Sequence, residues 1–334
     1  MSVTLKDIAR AAGVSHSTVS RALSNSPLIS AETKARIRRL ADEMGYAPSA
    51  IGRGLVTRRT GTIGLVVTTI ADPFIAEVVQ GIEETALSCQ YNTILCNSNS
   101  EPDRELKTVR ALREKRVDAI IVTSSRLGSL YLSHLRSVGV PIVLINNQGQ
   151  GDYIHSVRID DLHGGQLAGR YLLDLGHRRI AYIGGPIWAR ASGLRLAGCR
   201  RALGSEGVEL PQELVLVGNG RADGGVEAAK ELLHRDLAVS AVFCYNDMTA
   251  VGVISALQRA GLRIPQDLSV IGYDDVAIAR YLWPPLTTIA QPKYVLGKRA
   301  MEMALALMQG EEEVPDVVLP PSLVERESCR RVGG

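Results

Sequence analysis

From Thr62 onward the chain repeats one pattern, a short apolar, β-rich run followed by a longer stretch of helical spacing. The runs are TIGLVV, YNTILC, DAIIV, VPIVLI, RIAYIG, ELVLVG, SAVFC and LSVIGY. Strands that are apolar at nearly every position are buried on both faces, which requires parallel sheets covered by helices. The pattern starts afresh at HRRIAYIGG, after a helix expected over His163–Leu175. Two α/β subdomains are therefore expected, with a small-molecule cleft near the carboxyl ends of their strands. A length of 334 residues leaves room for a further domain.

The first 60 residues read differently. They carry ten Lys and Arg against four Asp and Glu, whereas the remainder carries 28 against 31. A basic head on a mildly acidic body points to a polyanionic partner. Thr4 can cap a helix through LKDIARAAG, with Leu5, Ile8, Ala9 and Ala12 on one face and Gly13 ending it. Ser15 can cap a second helix over His16 to Leu23. Ser30 can cap a third, with Ile37, Leu40, Ala41 and Met44 as its apolar stripe. Three short helices with a tight turn make a helix-turn-helix unit, whose second helix enters the major groove of DNA. His16, Ser17, Thr18, Ser20 and Arg21 are short or polar enough to reach base edges, and Arg21 can bond a guanine through O6 and N7. Lys34, Arg36, Arg38 and Arg39 on the next helix are candidate phosphate contacts. After them, YAPSAIGRGLVTRRTGT holds Gly52 and Gly54, which weaken any helix there, and marks the first domain boundary.

Composition narrows the function class. Aromatic residues are only 4%, so the core is aliphatic. Cys89, Cys96, Cys199, Cys244 and Cys329 are scattered without a CxxC pair and are expected as buried, reduced thiols. The opening MSVTLKDIAR has no apolar signal region, and no apolar run reaches the ~20 residues of a membrane span. A cytoplasmic protein is expected. No GxGxxG, P-loop, HExxH or GxSxG sequence occurs, so neither an enzyme, a cofactor nor a metal is expected. His177, in LGHRR, is expected to be structural.

The segments TLKDIARAAGVSHSTVSRALS, ISAETKARIRRLADEMGYAPSA, GRGLVTRRTGTIGLVV, LGHRRIAYIGGP, RLAGCRRAL, AVFCYNDMTAVGVISAL, LSVIGYDD, PPLTTIAQP and LPPSLVERES together resemble the LacI/GalR family of bacterial transcription regulators. The likeness spans essentially the whole chain in the family's order. It implies a sequence-specific DNA-binding regulator, a repressor, controlled by a small molecule. The implied fold is an all-α helix-turn-helix head with a hinge helix, followed by two Rossmann-like parallel-sheet subdomains similar to periplasmic binding proteins. The implied division is 1–47 for the DNA-binding domain, 48–60 for the hinge and 61–334 for the effector-binding and dimerisation core. Within that core, one subdomain takes about 61–158 and 291–318, the other about 159–290 and 319–330.

The resemblance also implies roles. The family's variable recognition positions fall on His16 and Ser17, followed by Arg21. The family's minor-groove leucine falls on Leu55, with Arg53 nearby; such a wedge kinks the duplex. Ser49 and Gly52 depart from the family's Asn and Ala. The implied DNA-contacting set is Thr4, Ser15, His16, Ser17, Thr18, Ser20, Arg21, Arg53 and Leu55. Effector positions fall on Asp72, Phe74, Asn146, Asp160, Arg195, Asn246, Asp274 and Gln291. Asp, Asn, Gln and Arg pair with adjacent hydroxyls and Phe74 offers an apolar wall, which suits a neutral sugar. Each has a plainer alternative. Asp274 and Asn246 could be turn or cap residues, Gln291 could satisfy a crossover backbone, and Asp160 could cap the following helix. Asp247 rather than Asn246 is expected to cap its helix.

Gly220 stands where relatives carry an aromatic residue, leaving that wall open or filled by Trp188, and Ala191 replaces a Ser or Thr. The retained Arg195, Asn246, Asp274 and Gln291 point to a pentose or related sugar rather than lactose or a purine base. The implied partners are pseudo-palindromic operator DNA, the effector and a second copy of the chain. A homodimer is expected because RESCRRVGG carries no leucine heptads. Two alternatives remain open: a sugar enzyme with a DNA-binding head, and a regulator governed by a protein corepressor.

Overall fold

The computed structural model describes residues 3–46, 59–127, 139–148, 155–235, 238–311 and 313–333. The chain divides into two compact units, Met1–Thr60 and Gly61–Gly334.

The first unit holds α1 (Leu5–Ala12), α2 (His16–Leu23) and α3 (Ala31–Glu43). Each begins where the sequence supplies a cap. The Thr4 N–H and hydroxyl both donate to Asp7 Oδ2, at 3.0 and 2.6 Å. Ser15 Oγ accepts from the Thr18 N–H at 3.1 Å, and Ser30 Oγ from Thr33 at 3.3 Å. Gly13 stops α1 at a φ of 64°, a left-handed conformation that costs glycine little. The core is small: Ile8, Val19, Ala22 and Ile37 are fully buried, with Ala9, Ala12 and Ala41 between them. Alanines let three short helices meet closely. Three of the expected phosphate contacts have partners inside the unit. Arg36 donates to the Ala12 carbonyl at 3.1 Å, Arg38 to Asn25 Oδ1 at 3.2 Å and Lys34 to the Asn25 carbonyl at 3.4 Å.

The second unit contains twelve described strands in two sheets. β1 (Thr62–Val67), β2 (Asn92–Asn97), β3 (Ala119–Thr123), β4 (Ile142–Ile145) and β5 (Ser156–Ile159) belong to the first. β6 (Ile180–Ile183), β7 (Val215–Leu216), β8 (Ala241–Cys244), β9 (Ser269–Asp274) and β10 (Thr287–Ala290) belong to the second. β11 (Val317–Leu319) and β12 (Ser322–Val324) then add one edge strand to each. The orders are β11-β5-β4-β3-β1-β2 and β12-β10-β9-β8-β6-β7. Every pairing is parallel except β10 with β12. All eight expected runs form strands. β5, β10, β11 and β12 were not anticipated, because all are short and, apart from the three-residue β11, carry Arg158, Thr287, Thr288 or Ser322 among their apolar residues.

The helices are α4 (Pro73–Ser88), α5 (Pro102–Glu114), α6 (Asp161–Asp174), α7 (Arg190–Gly204), α8 (Ala222–His234), α9 (Asp247–Arg259) and α10 (Lys293–Met308). α10 returns to the first sheet and packs on α4, β3 and β4. The chain therefore crosses between the layers three times, after β5, after β10 and after β11. His177 is structural, as expected: its ring bonds Ser240 Oγ at 2.9 Å and the Arg330 carbonyl at 3.1 Å. The cysteines depart from expectation. All are free thiols, but only Cys199 and Cys244 are buried; Cys96 and Cys329 are half-buried and Cys89 is exposed.

Helix pairs in this unit meet backbone to backbone. A Cβ on Gly198 of α7 would lie 2.0 Å from the Leu162 carbonyl oxygen, and one on Gly165 of α6 would lie 2.0 Å from that of Arg195. Gly81 and Gly297 do the same for α4 and α10, and Gly225 and Gly252 for α8 and α9. Backbone cannot yield as a flexible side chain can, so one methyl group must separate the helices. Gly198→Ala is expected to cost about 1–3 kcal/mol of stability through overpacking. A urea unfolding curve with an unmoved midpoint would reject this account of the α6–α7 contact.

Candidate ligand cleft and DNA-contacting face

On α2 the burial pattern separates two jobs. Val19 and Ala22 are buried against the other helices, while His16, Ser17, Ser20 and Arg21 are exposed together. Ser15 Oγ lies 2.8 Å from both Ser17 Oγ and Thr18 Oγ1, so these hydroxyls bond one another around the cap. Thr4 is likewise engaged with Asp7. Arg53 and Leu55 lie outside the described residues, as does Ser49.

In the second unit a cavity of about 760 Å³ opens at the carboxyl ends of the strands. Asp72, Phe74 and Asn146 line it from the first layer, and Arg195, Asn246 and Asp274 from the second. Gln291 lines it from the crossover between β10 and α10. Seven of the eight expected effector positions are thus brought together. Asp160 is the exception. It is the N-cap of α6, accepting the His163 N–H at 3.0 Å, and it does not line the cavity.

Arg195 is the buried centre of the site. Its Nε donates to Asp161 Oδ1 at 2.8 Å and its Nη1 to the Tyr245 carbonyl at 2.6 Å. Asp274 Oδ1 stands 3.9 Å from Nη1. The guanidinium lies 3.5 Å from the centre of the Tyr273 ring and 4.8 Å from that of Tyr245. Burial disfavours the charge, yet Asp161, the two tyrosines and Asp274 overcome this and raise its pKa. Asp161 and Tyr245 were both missed by sequence reasoning. Asp161 sits beside the more obvious cap Asp160, and nothing in its local pattern distinguishes it.

Tyr245 also answers the question left by Gly220. A Cβ on Gly220 would lie 3.3 Å from the Tyr245 ring, and one on Gly185 would lie 2.8 Å from it. The two glycines make room for Tyr245, which takes the wall expected to be open or filled by Trp188. Trp188 lines the cavity too, with the Arg126 guanidinium 4.6 Å from the centre of its ring.

Asp274 ends β9, and its carboxyl accepts from Gln291 Nε2 at 2.5 Å. Burial raises its pKa well above the carboxylate range. Arg195 opposes this, while Asp247 and Asp72 add to it. Residues 274 and 275 both have positive φ, at 111° and 53°. Such backbone costs of order 1–3 kcal/mol per residue and persists only where surroundings impose it. Asp72 accepts from the Phe74 N–H at 3.0 Å at the start of α4. Burial raises its pKa too, against the Phe74 N–H and Arg221. Asn146 Oδ1 accepts from the Ile159 N–H at 3.0 Å, pinning β4 to β5.

The expected division of labour at Asn246 and Asp247 holds for the cavity and fails for the cap. Asn246 is the N-cap of α9, its Oδ1 accepting from the Thr249 N–H at 2.9 Å and the Thr249 hydroxyl at 2.7 Å. Its Nδ2 donates to the Gly220 carbonyl at 3.0 Å, so the side chain lines the cavity while holding its rim. Asp247 is fully buried instead, accepting from the Val276 N–H at 2.8 Å and the Thr288 hydroxyl at 2.6 Å. Extended backbone at Asn246 turns its oxygen onto the first turn of α9, and only then does Asp247 point down between β9 and β10.

Burial pushes the Asp247 carboxyl up to about 7, against its bonds to Thr288 and Val276. A pKa raised on folding contributes stability that is fully present below the unfolded value and is lost as pH rises through the folded one. The wild-type unfolding free energy should therefore carry a term that falls between about pH 4 and pH 8. Asp247→Asn should flatten that slope in urea titrations at several pH values; an unchanged slope would exclude Asp247 as its source.

The two units and the cleft have counterparts of known kind. Residues 4–49 match the description "Bacterial regulatory proteins, lacI family", and residues 170–329 match "Periplasmic binding protein-like domain". The HTH-type transcriptional repressor PurR of Photorhabdus laumondii is 37% identical over 97% of this chain and 96% of its own length. The chain belongs to the lacI family of bacterial regulatory proteins. Among solved structures, the lac repressor dimer bound to operator and the anti-inducer ONPF superposes with a TM-score of 0.91 at 28% identity, covering 99% of this chain and 100% of that one. A LacI family transcriptional regulator from Enterococcus faecium with bound ribose gives 0.74 at 32% identity, covering 81% and 99%. The protein is thus a DNA-binding transcriptional repressor with an effector-binding core. Among the described residues, no helix is long and apolar enough to cross a membrane, and no His, Cys, Asp or Glu group is placed to hold a metal.

Proposed function

We propose that this repressor is controlled by a neutral monosaccharide of pentose size, bound among Phe74, Asn146, Arg195, Asp274 and Gln291. The observation that carries the reading is the carboxamide of Gln291. It is 5% exposed and donates to Asp274, while its Oε1 is buried without a hydrogen-bond partner. Such an acceptor needs one further donor, which a ligand hydroxyl or an ordered water can supply. Beside it stand the Asp274 carboxyl, which can pair with hydroxyls, and Phe74, which can cover an apolar C–H face. The ribose named for the Enterococcus faecium regulator supports the same ligand class.

In this reading residues 1–47 bind DNA, with His16, Ser17 and Arg21 at base edges. Residues 48–60 form the hinge, with Arg53 and Leu55 at the operator centre. Residues 61–334 hold the effector and the second copy of the chain. The effector changes the closure of the two layers, and with it the population competent for a pseudo-palindromic operator. A purine base is the second reading, favoured by the relatives named PurR, and Phe74, Trp188 and Tyr245 offer it aromatic surfaces.

A thermal-shift panel of sugars, polyols, nucleosides and purine bases separates the two, since a ligand of the folded state raises the melting midpoint. Ribose or a related sugar is expected to do so and purine bases are not; the reverse pattern would establish the second reading. Gln291→Leu should then weaken the active sugar by tenfold or more, from the ~1–3 kcal/mol carried by such a buried polar contact. In operator titrations, Arg21→Ala should lose about 1–3 kcal/mol and relax the preference at one base pair of each half-site. Retained affinity and preference would remove Arg21 from the reading.

A further inference from the structure

Lys293 breaks two local rules at once. It is the first residue of α10, where the helix dipole disfavours a cation, and its side chain is only 5% exposed. A buried ammonium at a positive helix end persists only where oxygen atoms surround it. Three do so. Nζ donates to the Asp274 carbonyl at 2.7 Å and the Asp275 carbonyl at 2.8 Å, and Glu77 Oε1 lies 3.5 Å away on α4. The two carbonyls take two of the three donors of the ammonium, and the Glu77 carboxylate balances its charge.

The two carbonyls converge on one point because residues 274 and 275 both hold positive φ, a conformation unfavourable for aspartate. Other bonds frame the same turn. Arg326 Nη2 donates to Asp275 Oδ1 at 2.6 Å, and Asp247 receives the Val276 N–H at 2.8 Å. Among the described residues, Lys293 is the one group bonded to both carbonyls of the turn, and it acts from the crossover that also carries Gln291, whose own N–H makes a longer bond to the Asp274 carbonyl at 3.4 Å.

We propose that Lys293 is a positioning residue for the effector site: its ammonium fixes the left-handed turn at Asp274 and Asp275 and so aims the Asp274 carboxyl into the cleft. Its approach to Glu77 ties that turn to α4, the helix that carries Phe74. The proposal rests on the cleft being the ligand site, but the turn itself can be measured without a ligand. Once Lys293 is removed, the Asp275 carbonyl loses that donor and the Asp274 carbonyl keeps the longer bond from the Gln291 N–H at 3.4 Å; the turn then relaxes toward ordinary φ, and Asp274 leaves its place beside Gln291 and Arg195.

The test is hydrogen exchange on the ligand-free full chain, comparing wild type, Lys293→Met, Lys293→Arg and, as an exposed control on the same helix, Lys298→Met. Lys293→Met should speed exchange at least tenfold in peptides covering Asp274–Tyr281, where the Val276 amide reports directly. Peptides over β8 should stay at the wild-type rate. Lys293→Arg should restore much of the protection, and Lys298→Met should change nothing. Unchanged exchange at 274–281, or a uniform rise across the second sheet, overturns the proposal. Should Lys293→Met not fold, Lys293→Gln takes its place with the same expectations. The sugar that raises the melting midpoint in the thermal-shift panel should also bind Lys293→Met at least tenfold more weakly. If no sugar does so, the effector reading fails while the exchange result still decides the role of Lys293.

Discussion

The second unit is organised around one buried positive charge. Arg195 has almost no access to water, and a buried guanidinium without an anion would cost about 3–5 kcal/mol. Asp161 supplies the anion at 2.8 Å, but from a different helix. The pair can form only if α6 and α7 approach until their backbones touch, which Gly165 and Gly198 permit. The same guanidinium then fixes the Tyr245 carbonyl at the end of β8 and faces Asp274 at the end of β9. One ion pair therefore sets the helix packing, the aromatic wall and the electrostatics of the cleft floor.

That floor is built so that small displacements are costly. Asp247, Asp274 and Asp72 raise one another's or their own pKa through burial and proximity, with Arg195 as the main counterweight near Asp274. Buried polar networks of this kind are firm when every member is paired and expensive when one is not. Among the described residues, Gln291 Oε1 and the Tyr273 hydroxyl are gaps in this network, and the first lies where both layers and a crossover meet. A hydroxyl placed there fills that gap and interacts with residues of both layers together. That is the physical basis on which a small bound molecule can favour one arrangement of the layers over another.

Much of this was legible in the sequence. Continuous apolar runs such as TIGLVV and SAVFC could only be doubly covered parallel strands, and caps at Thr4, Ser15 and Ser30 fixed the three head helices. The effector positions given by family likeness converge on one cleft, apart from Asp160. Other features were hidden for definable reasons. β5 and β10 are too short and polar to stand out, although they feed two of the crossovers. Asn246 and Asp247 are both competent caps, and only the backbone angles at residue 246 choose between them. Asp161, Tyr245 and Lys293 act through partners tens of residues away, and no local spacing encodes such pairings.

The recognition helix obeys a complementary logic. α2 gives up helix propensity by carrying Ser17, Thr18 and Ser20, residues whose hydroxyls compete for backbone bonds. In the structure that competition is contained. Ser15, Ser17 and Thr18 bond around the N-cap, while Val19 and Ala22 lock the opposite face into a core of fully buried side chains. Packing, rather than intrinsic propensity, supports the helix, so its outer face is free to remain thin and polar. His16, Ser20 and Arg21 are exposed on that face, and in the proposed reading they enter a groove, where a bulkier, more strongly helical sequence would stand farther from the bases. On that reading the serine-rich stretch follows from the close approach that base reading requires.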